Sequence, residues 1–466
     1  MKKKRFMILS ALVLSLSLLC ACGGEDPQTP PVTTEQDTTP VVTQPEDTTN
    51  YPLLVTAAFD GLDEAPAEQF DTVAVANGLK LTTYRGSAAK VRIPEQINGV
   101  DVVALGDDLF AEHTEITVLY IPDSVTYFGT DVLKGCSSIY ALRTPLPQAE
   151  QAYLGYLYGA ASYETNNQPA LRSLDFLELG GSLDTLPAYA LYDCNDLVAL
   201  RLPESVKTLD SYSLYRCESL KYLNTEGITT LKTHALAYCA ALESLTLTNA
   251  LQSVELGALE GCNGLRRLTL PFLGQGEGEN DYLAYLFGAA DPMFSASFYP
   301  TGSGLQSVTV TGSLKTLGDY AFFGCTSLIS VSLPSSVTTI GVRAFSGCRR
   351  LQELTLPSAL TTIRENAFYG CAALTTLTLN EGLTAIGVNA FAECTGLETV
   401  SLPSTLKTLP NGCFSSCKSL RSVALGGVES VGVNAFHGCT GLLAVTSGGR
   451  VRFEDGNETA KALLNP

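Results

Sequence analysis

A cysteine recurs along this chain at a fixed spacing. It stands at 136, 194, 217, 239, 262, 325, 348, 371, 394, 417 and 439, with His113 in the same place one unit earlier. Successive separations from 113 are 23, 58, 23, 22, 23, 63, 23, 23, 23, 23 and 22. A period of roughly 20 to 50 residues marks a solenoid, because one such unit cannot bury its apolar face alone and stacked units can. Length by itself would divide 466 residues into about three domains. The period replaces that division with one array of about twelve 23-residue units, two of which carry insertions near 145–171 and 272–305.

Aligned on the cysteine, each unit shows the same apolar places. They fall eleven before (Val337, Leu360, Leu383), eight before (Ile340, Ile363, Ile386), four and three before (Ala367 and Phe368, Ala390 and Phe391), at the cysteine, and three, six and eight after (Leu351, Leu354, Leu356). The last two have strand spacing. Proline often follows at nine after (Pro122, Pro203, Pro271, Pro334, Pro357, Pro403), where the missing N–H ends a strand. The pair three residues apart suits a short strand or turn on the opposite side, and Ala-Phe-x-Gly-Cys suits a tight helical turn. The expected fold is an α/β-type repeat solenoid, curved, with short parallel strands ~4.8 Å apart joined by helical turns.

Units such as 327–357, SLISVSLPSSVTTIGVRAFSGCRRLQELTLP, and the opening 77–110 resemble BspA-type leucine-rich repeats of bacterial surface proteins. That resemblance spans about 77–446 and implies a surface-exposed curved solenoid that binds matrix proteins or other cells, with no shared catalytic residues. The departures are Cys413 in the alanine place, Leu191, Leu214, Leu236 and Leu259 in the phenylalanine place, and His113 for cysteine. They bear on local packing.

Ahead of the array, MKKKRF is a charged leader and MILSALVLSLSLL an apolar run too short to span a bilayer, so 1–21 reads as a signal peptide. The stretch Leu19-Cys20-Ala21-Cys22 resembles the lipobox of bacterial lipoproteins, which implies Cys22 as the lipidated residue. Residues 22–50 are rich in Pro, Thr, Gln and acid with no Lys, Arg or aromatic, the composition of a disordered stalk. The remaining divisions are an N-terminal cap with the first repeat strand at 51–100, the solenoid at 101–446, and a C-terminal cap at 447–466. Without its leader the chain keeps 25 basic residues against 47 acidic, a balance of −22. A nucleic-acid partner is excluded because a phosphate backbone needs a basic face. Membrane contact is expected through the lipid anchor only, on the outer face of a bacterial cell.

Twelve cysteines within the array of an exported chain invite a disulfide framework. A ladder at this spacing instead sets the thiols inward and parallel, a poor geometry for the bridging dihedral, so free buried thiols are expected. Zinc binding is not, since paired ligands on tight loops are missing, and no cofactor is called for. His234 and His437 lie about 34 Å apart at ~4.8 Å per coil, so the histidines His113, His234 and His437 cannot share a site. Without a His or Lys beside them the many hydroxyls are not activated, and no enzyme is expected. The acidic loop 275–281, QGEGEND, reads as a solvated loop in preference to a weak Ca²⁺ site.

Two surfaces could meet a partner. The insertions resemble each other, Tyr153, Tyr156 and Tyr158 matching Tyr282, Tyr285 and Phe287. These rings either pack against the solenoid edge or form an aromatic rim for protein or sugar. The outward strand places carry Tyr120, Arg143, Arg201, Tyr222, Asn224 and Arg267 in the N-terminal half, and Ser or Thr (Ser332, Thr355, Thr378, Ser401) in the C-terminal half. Arg and Tyr are enriched at binding hot spots, and Arg pairs bidentately with carboxylate or sulfate. The function that follows is binding of a protein on the cell surface. An acidic or sulfated glycan is the second class of ligand, and a spacer without a ligand is the third.

Overall fold

The computed structural model describes residues 50–147, 151–276, 281–297 and 304–465, and Asn50–Pro466 is one compact unit. The leader, Cys22 and the stalk to residue 49 lie outside the described residues, as does most of the 275–281 loop.

Three parallel columns run through the stack. The first is a strand column, in sheets of six, five and five strands among the described residues. Each repeat adds one strand at five to seven places after its cysteine, as in Val118–Tyr120, Ala199–Arg201, Thr376–Thr378 and Ser422–Ala424. Pairing is in register from coil to coil, Thr376 on Thr399 and Thr399 on Ser422. Alternation explains the strand: in Thr376–Leu377–Thr378 the leucine is buried and both threonines are exposed. The second column consists of two-residue strands such as Thr208–Leu209, Thr339–Ile340 and Thr362–Ile363, each with its apolar residue eight before cysteine turned inward.

The third column is the Ala-Phe-x-Gly-Cys turn, and it is not a strand. Backbone N–H groups at five, three and one before cysteine donate to the next coil, as Arg343 to Glu365, Phe345 to Ala367 and Gly347 to Tyr369 at 2.7–3.0 Å. The residues five before and one before take positive φ along the stack. Gly347 and Gly370 meet this need easily, and so do Asn366, Asn389 and Asn434 at φ 53° to 55°. Inside the turns, Phe322, Phe345, Phe368, Phe391, Phe414 and Phe436 form a file of near-parallel rings 5.1–5.8 Å apart.

The cysteines sit beside this file, all twelve free and buried among the described residues. They do more than fill space. Each of nine thiols donates to the carbonyl of the residue three before the preceding cysteine place, for example Cys371 to Phe345 at 3.2 Å and Cys394 to Phe368 at 3.1 Å. That carbonyl already accepts from the cysteine N–H of its own coil, as Phe345 does from Cys348 at 3.1 Å, and the thiol of the next coil supplies a second donor where water cannot reach. Burial pushes Cys136, Cys262 and Cys394 up to about 12.

The long separations at 136–194 and 262–325 are not loops thrown off the array. Each is an extra, lengthened coil that gives the first column a rung, Phe176–Leu179 and Ser307–Val310. In the turn column its place is taken by short 3-10 helices, Leu154–Tyr158 and Leu283–Phe287. Leu133 N–H donates to Leu157 and Leu154 N–H to Ala190, bridging the coils on either side. The first column therefore has more rungs than the cysteines count. The remaining two come from the ends: Lys90–Arg92, and Leu464–Asn465 beyond the helix Glu458–Ala462. An antiparallel hairpin, Phe70–Val75 with Gly78–Tyr84, closes the N-terminal end.

Candidate functional site

Four of the six outward residues singled out by sequence converge on one cleft of about 580 Å³ along the first column, lined by Arg143, Arg201, Tyr222 and Asn224 among others. They come from successive rungs, because Arg143 pairs in register with Glu178 and Glu178 with Arg201. Glu178 belongs to the first long coil. Its carboxylate takes Arg143 Nε at 3.2 Å and Arg201 at 3.4 Å, while Arg143 also reaches Asp123 at 2.8 Å and the Ile121 carbonyl at 3.2 Å.

Arg143 is thus a packed, internally paired residue, its side chain 12 % exposed. Its guanidinium lies 4.5 Å from the centre of the Tyr120 ring, with Arg92 at 4.2 Å from the same ring. Tyr120 is held between two cations and an edge of Phe59 at 6.1 Å. Asn224 is also engaged: its amide accepts from Leu202 N–H at 2.7 Å and donates to Leu202 carbonyl at 3.0 Å, imitating another strand residue. Arg201 and Tyr222 are the members with surface to offer a partner. Arg267 is exposed and lies outside the cleft.

The charge of the cleft is the reverse of the expected one. Asp123, Glu178, Glu204 and Glu226 line it against Arg143, Arg201 and Lys207. An arginine already paired with carboxylates has little left for an anionic ligand, and an acidic or sulfated glycan would meet more negative charge than positive.

A second departure lies on the same face. The helix Tyr51–Ala57 and the segment after it lie across the rungs Phe176–Leu179 and Ala199–Arg201, and Phe59 packs on Val118 and Ala141. Small outward residues make room: Ala141 and Ala199 are fully buried, as is Val55 of the helix. Part of the presumed ligand face is therefore filled by the chain's own N-terminal segment. Nothing in the repeat pattern could have shown this, since residues 51–62 stand outside it.

The aromatic rim resolves toward packing. Tyr153, Tyr158, Tyr282 and Phe287 are buried, because their 3-10 helices form part of the turn column; Tyr153 and Tyr282 hydroxyls donate to Ala160 and Ala289 carbonyls at 3.1 and 3.0 Å. Only Tyr156 and Tyr285 keep partial exposure. On the C-terminal half, Thr376, Thr399, Ser422, Ala444 and their neighbours line a shallow groove of about 540 Å³, for which strand propensity is sufficient reason.

The profile of the BspA type Leucine rich repeat region matches the sequence in six copies, over residues 86–148, 169–274 and 294–421. The chain belongs to the BspA-type leucine-rich repeat family. Among solved structures, this BspA-type chain is similar to a leucine-rich repeat protein from Bacteroides ovatus, at 18 % identity over 84 % of this chain and 100 % of that one, TM-score 0.35. It is similar too to a leucine rich cell surface protein from Faecalibacterium prausnitzii, at 23 % identity over 78 % and 95 %, TM-score 0.31. The pneumococcal vaccine antigen PcpA matches at 18 % identity over 85 % and 94 %, TM-score 0.34. Among curated proteins none matches the sequence. Among the described residues of this BspA-type solenoid no helix is long and apolar enough to cross a membrane.

Proposed function

We propose that this BspA-type chain is a lipid-anchored bacterial surface protein whose first strand column binds a protein partner. The observation that carries the reading is the cleft at Arg201 and Tyr222, built from successive coils and bordered by Glu204 and Glu226. A half-buried tyrosine beside a half-exposed arginine, in a recess with surplus carboxylates, suits a partner that inserts a lysine or arginine side chain. Anchoring rests on the Leu19–Cys22 junction, and Cys22→Ser should release the protein or leave it unprocessed.

The test is an array of matrix proteins and of neutral and sulfated glycans, probed with residues 50–466, followed by Tyr222→Ala and Arg201→Ala. Arg143 is avoided because its removal strands Glu178 and Asp123. Each truncation should weaken binding of the captured protein by about 1 to 3 kcal/mol. Full affinity in both variants, with circular dichroism unchanged, refutes the cleft as the site.

A further inference from the structure

Seven rings cluster on the outer side of the turn column, away from the cleft. One row runs Tyr163, Tyr189, Tyr212, His234, with centroids 4.0, 5.3 and 5.0 Å apart and planes within 22° of parallel. A second row runs Tyr192, Tyr215, Tyr238 at 5.2 and 5.3 Å. All are half-buried except Tyr238, which is exposed. Among the described residues the hydroxyls of Tyr163, Tyr189, Tyr192, Tyr212 and Tyr215 have no hydrogen-bond partner, whereas that of Tyr238 donates to Glu260 at 2.9 Å.

The placing of these rings is costly. Tyr189, Tyr212 and His234 occupy the place five before cysteine at φ 62°, 58° and 56°. A bulky side chain there is a true outlier; Asn366, Asn389, Gly412 and Asn434 ease the same place in four C-terminal coils, while Tyr320 and Arg343 do not. The first row ends at Tyr163 in a recess of about 450 Å³ that also includes Gln151, Tyr156, Ser162 and Asp131. Charges alongside are self-paired: Arg216 with Asp193 at 3.4 Å and Glu218 at 3.2 Å, and Asp131 with Lys134 at 2.7 Å.

We propose that this tyrosine ledge and its recess bind a neutral, extended β-linked glycan chain, its end in the recess and its length along the rows. Stacked face to face, the rings turn their edges and hydroxyls outward, a hydroxyl-lined ledge that suits a ligand itself rich in hydroxyls. Arg216 and Lys134 are taken up by the carboxylates beside them, which leaves little positive charge to select an anionic polymer. The ring spacing follows from the coil rise of ~4.8 Å, and one sugar of an extended β-linked chain has a similar length, so ligand and ledge stay in step over several coils.

The probes are β-1,4- and β-1,3-linked glucose oligomers from two to six residues, with sulfated heparin oligomers and a proline-rich peptide for contrast, titrated against residues 50–466. The chain has no Trp and 20 Tyr, so intrinsic fluorescence reports the tyrosines directly. At least one hexamer should bind 10-fold or more tightly than its dimer. The double variant Tyr189→Asn with Tyr212→Asn should weaken it 10-fold or more, and asparagine at this place keeps the backbone conformation seen at Asn366 and Asn389. Arg201→Ala, in the other site, should leave glycan binding unchanged, so the two proposals fail separately. Absence of binding by every neutral oligomer, preference for the peptide or the sulfated probe, or unaltered affinity in the double variant would overturn the proposal.

Discussion

Raising the pH should unfold this protein at a point set by its thiols. In the unfolded chain a cysteine loses its proton near its ordinary value of 9.0, whereas Cys136, Cys262 and Cys394 are pushed up to about 12 by burial. Below pH 9 both states hold the proton and the contribution is complete. Above it the unfolded chain alone releases protons, so stability falls until pH passes 12. One unit past the unfolded value costs about 1.4 kcal/mol per thiol, or about 4 kcal/mol for these three at pH 10. Cys217, Cys239, Cys348, Cys371 and Cys413 are raised well above their ordinary value by the same burial and add loss of the same sign. Against a total of about 5 to 15 kcal/mol, unfolding is expected between about pH 10 and 11. Urea titrations followed by circular dichroism at pH 8, 9 and 10, with reductant, measure it. Alkylation gives a parallel readout, since native Cys136, Cys262 and Cys394 at pH 8.5 should react about 1,000-fold more slowly than a free thiol. A change under about 1 kcal/mol between pH 8 and 10, or native thiols that alkylate freely, would refute the argument.

Intact mass of residues 50–466 after alkylation in denaturant, without reductant, should show twelve modified thiols; most resisting until reduction would mean disulfides. Phe368→Ala opens a gap in the middle of the ring file and should cost about 3 to 5 kcal/mol, read from the urea midpoint. Arg343 sits at φ 53° with no glycine or asparagine to ease it, so Arg343→Gly should stabilise by about 1 kcal/mol, and a lowered midpoint counts against that. Ala199→Arg removes the space beneath the helix Tyr51–Ala57, and hydrogen exchange there should speed by an order of magnitude; unchanged protection would show that the helix is held elsewhere.

The core register was legible because it depends on residue types at fixed separations from a cysteine. Leu377 and Ile363 follow from spacing alone, and so does the inward thiol. What the thiol donates to was not, since that carbonyl belongs to the coil before and the bond exists only once coils stack. The same holds for Arg143, whose partner Glu178 lies across a lengthened coil that looked like a loop. Its pairing turns a presumed anion reader into a packing residue. The positive φ at five before cysteine is suggested by Asn366 and Asn389, yet Tyr189, Tyr212 and His234 hide the pattern by using residues that resist it. The helix at 51–57 carries no periodic signal, so its seat on Phe176–Leu179 and Ala199–Arg201 was invisible.

The third column has an electrical consequence. Its peptide N–H groups at five, three and one before cysteine all point toward the C-terminal end, from Asp108 donating to Thr130 through to Asn434 donating to Asp455. Strands contribute little of this kind because their peptides alternate. Aligned peptides of about 3.5 D each sum head to tail, as in a helix, so the stack carries a macrodipole along its axis, with its positive pole at the C-terminal end. At that pole Asn457 Oδ1 accepts from Phe436 N–H at 3.1 Å, an amide oxygen capping a turn N–H where no further coil follows the twelfth cysteine's turn. Adding or deleting coils would move the poles apart or together without changing their sign, so a solenoid of this design can vary in length while its two ends keep the same polarity.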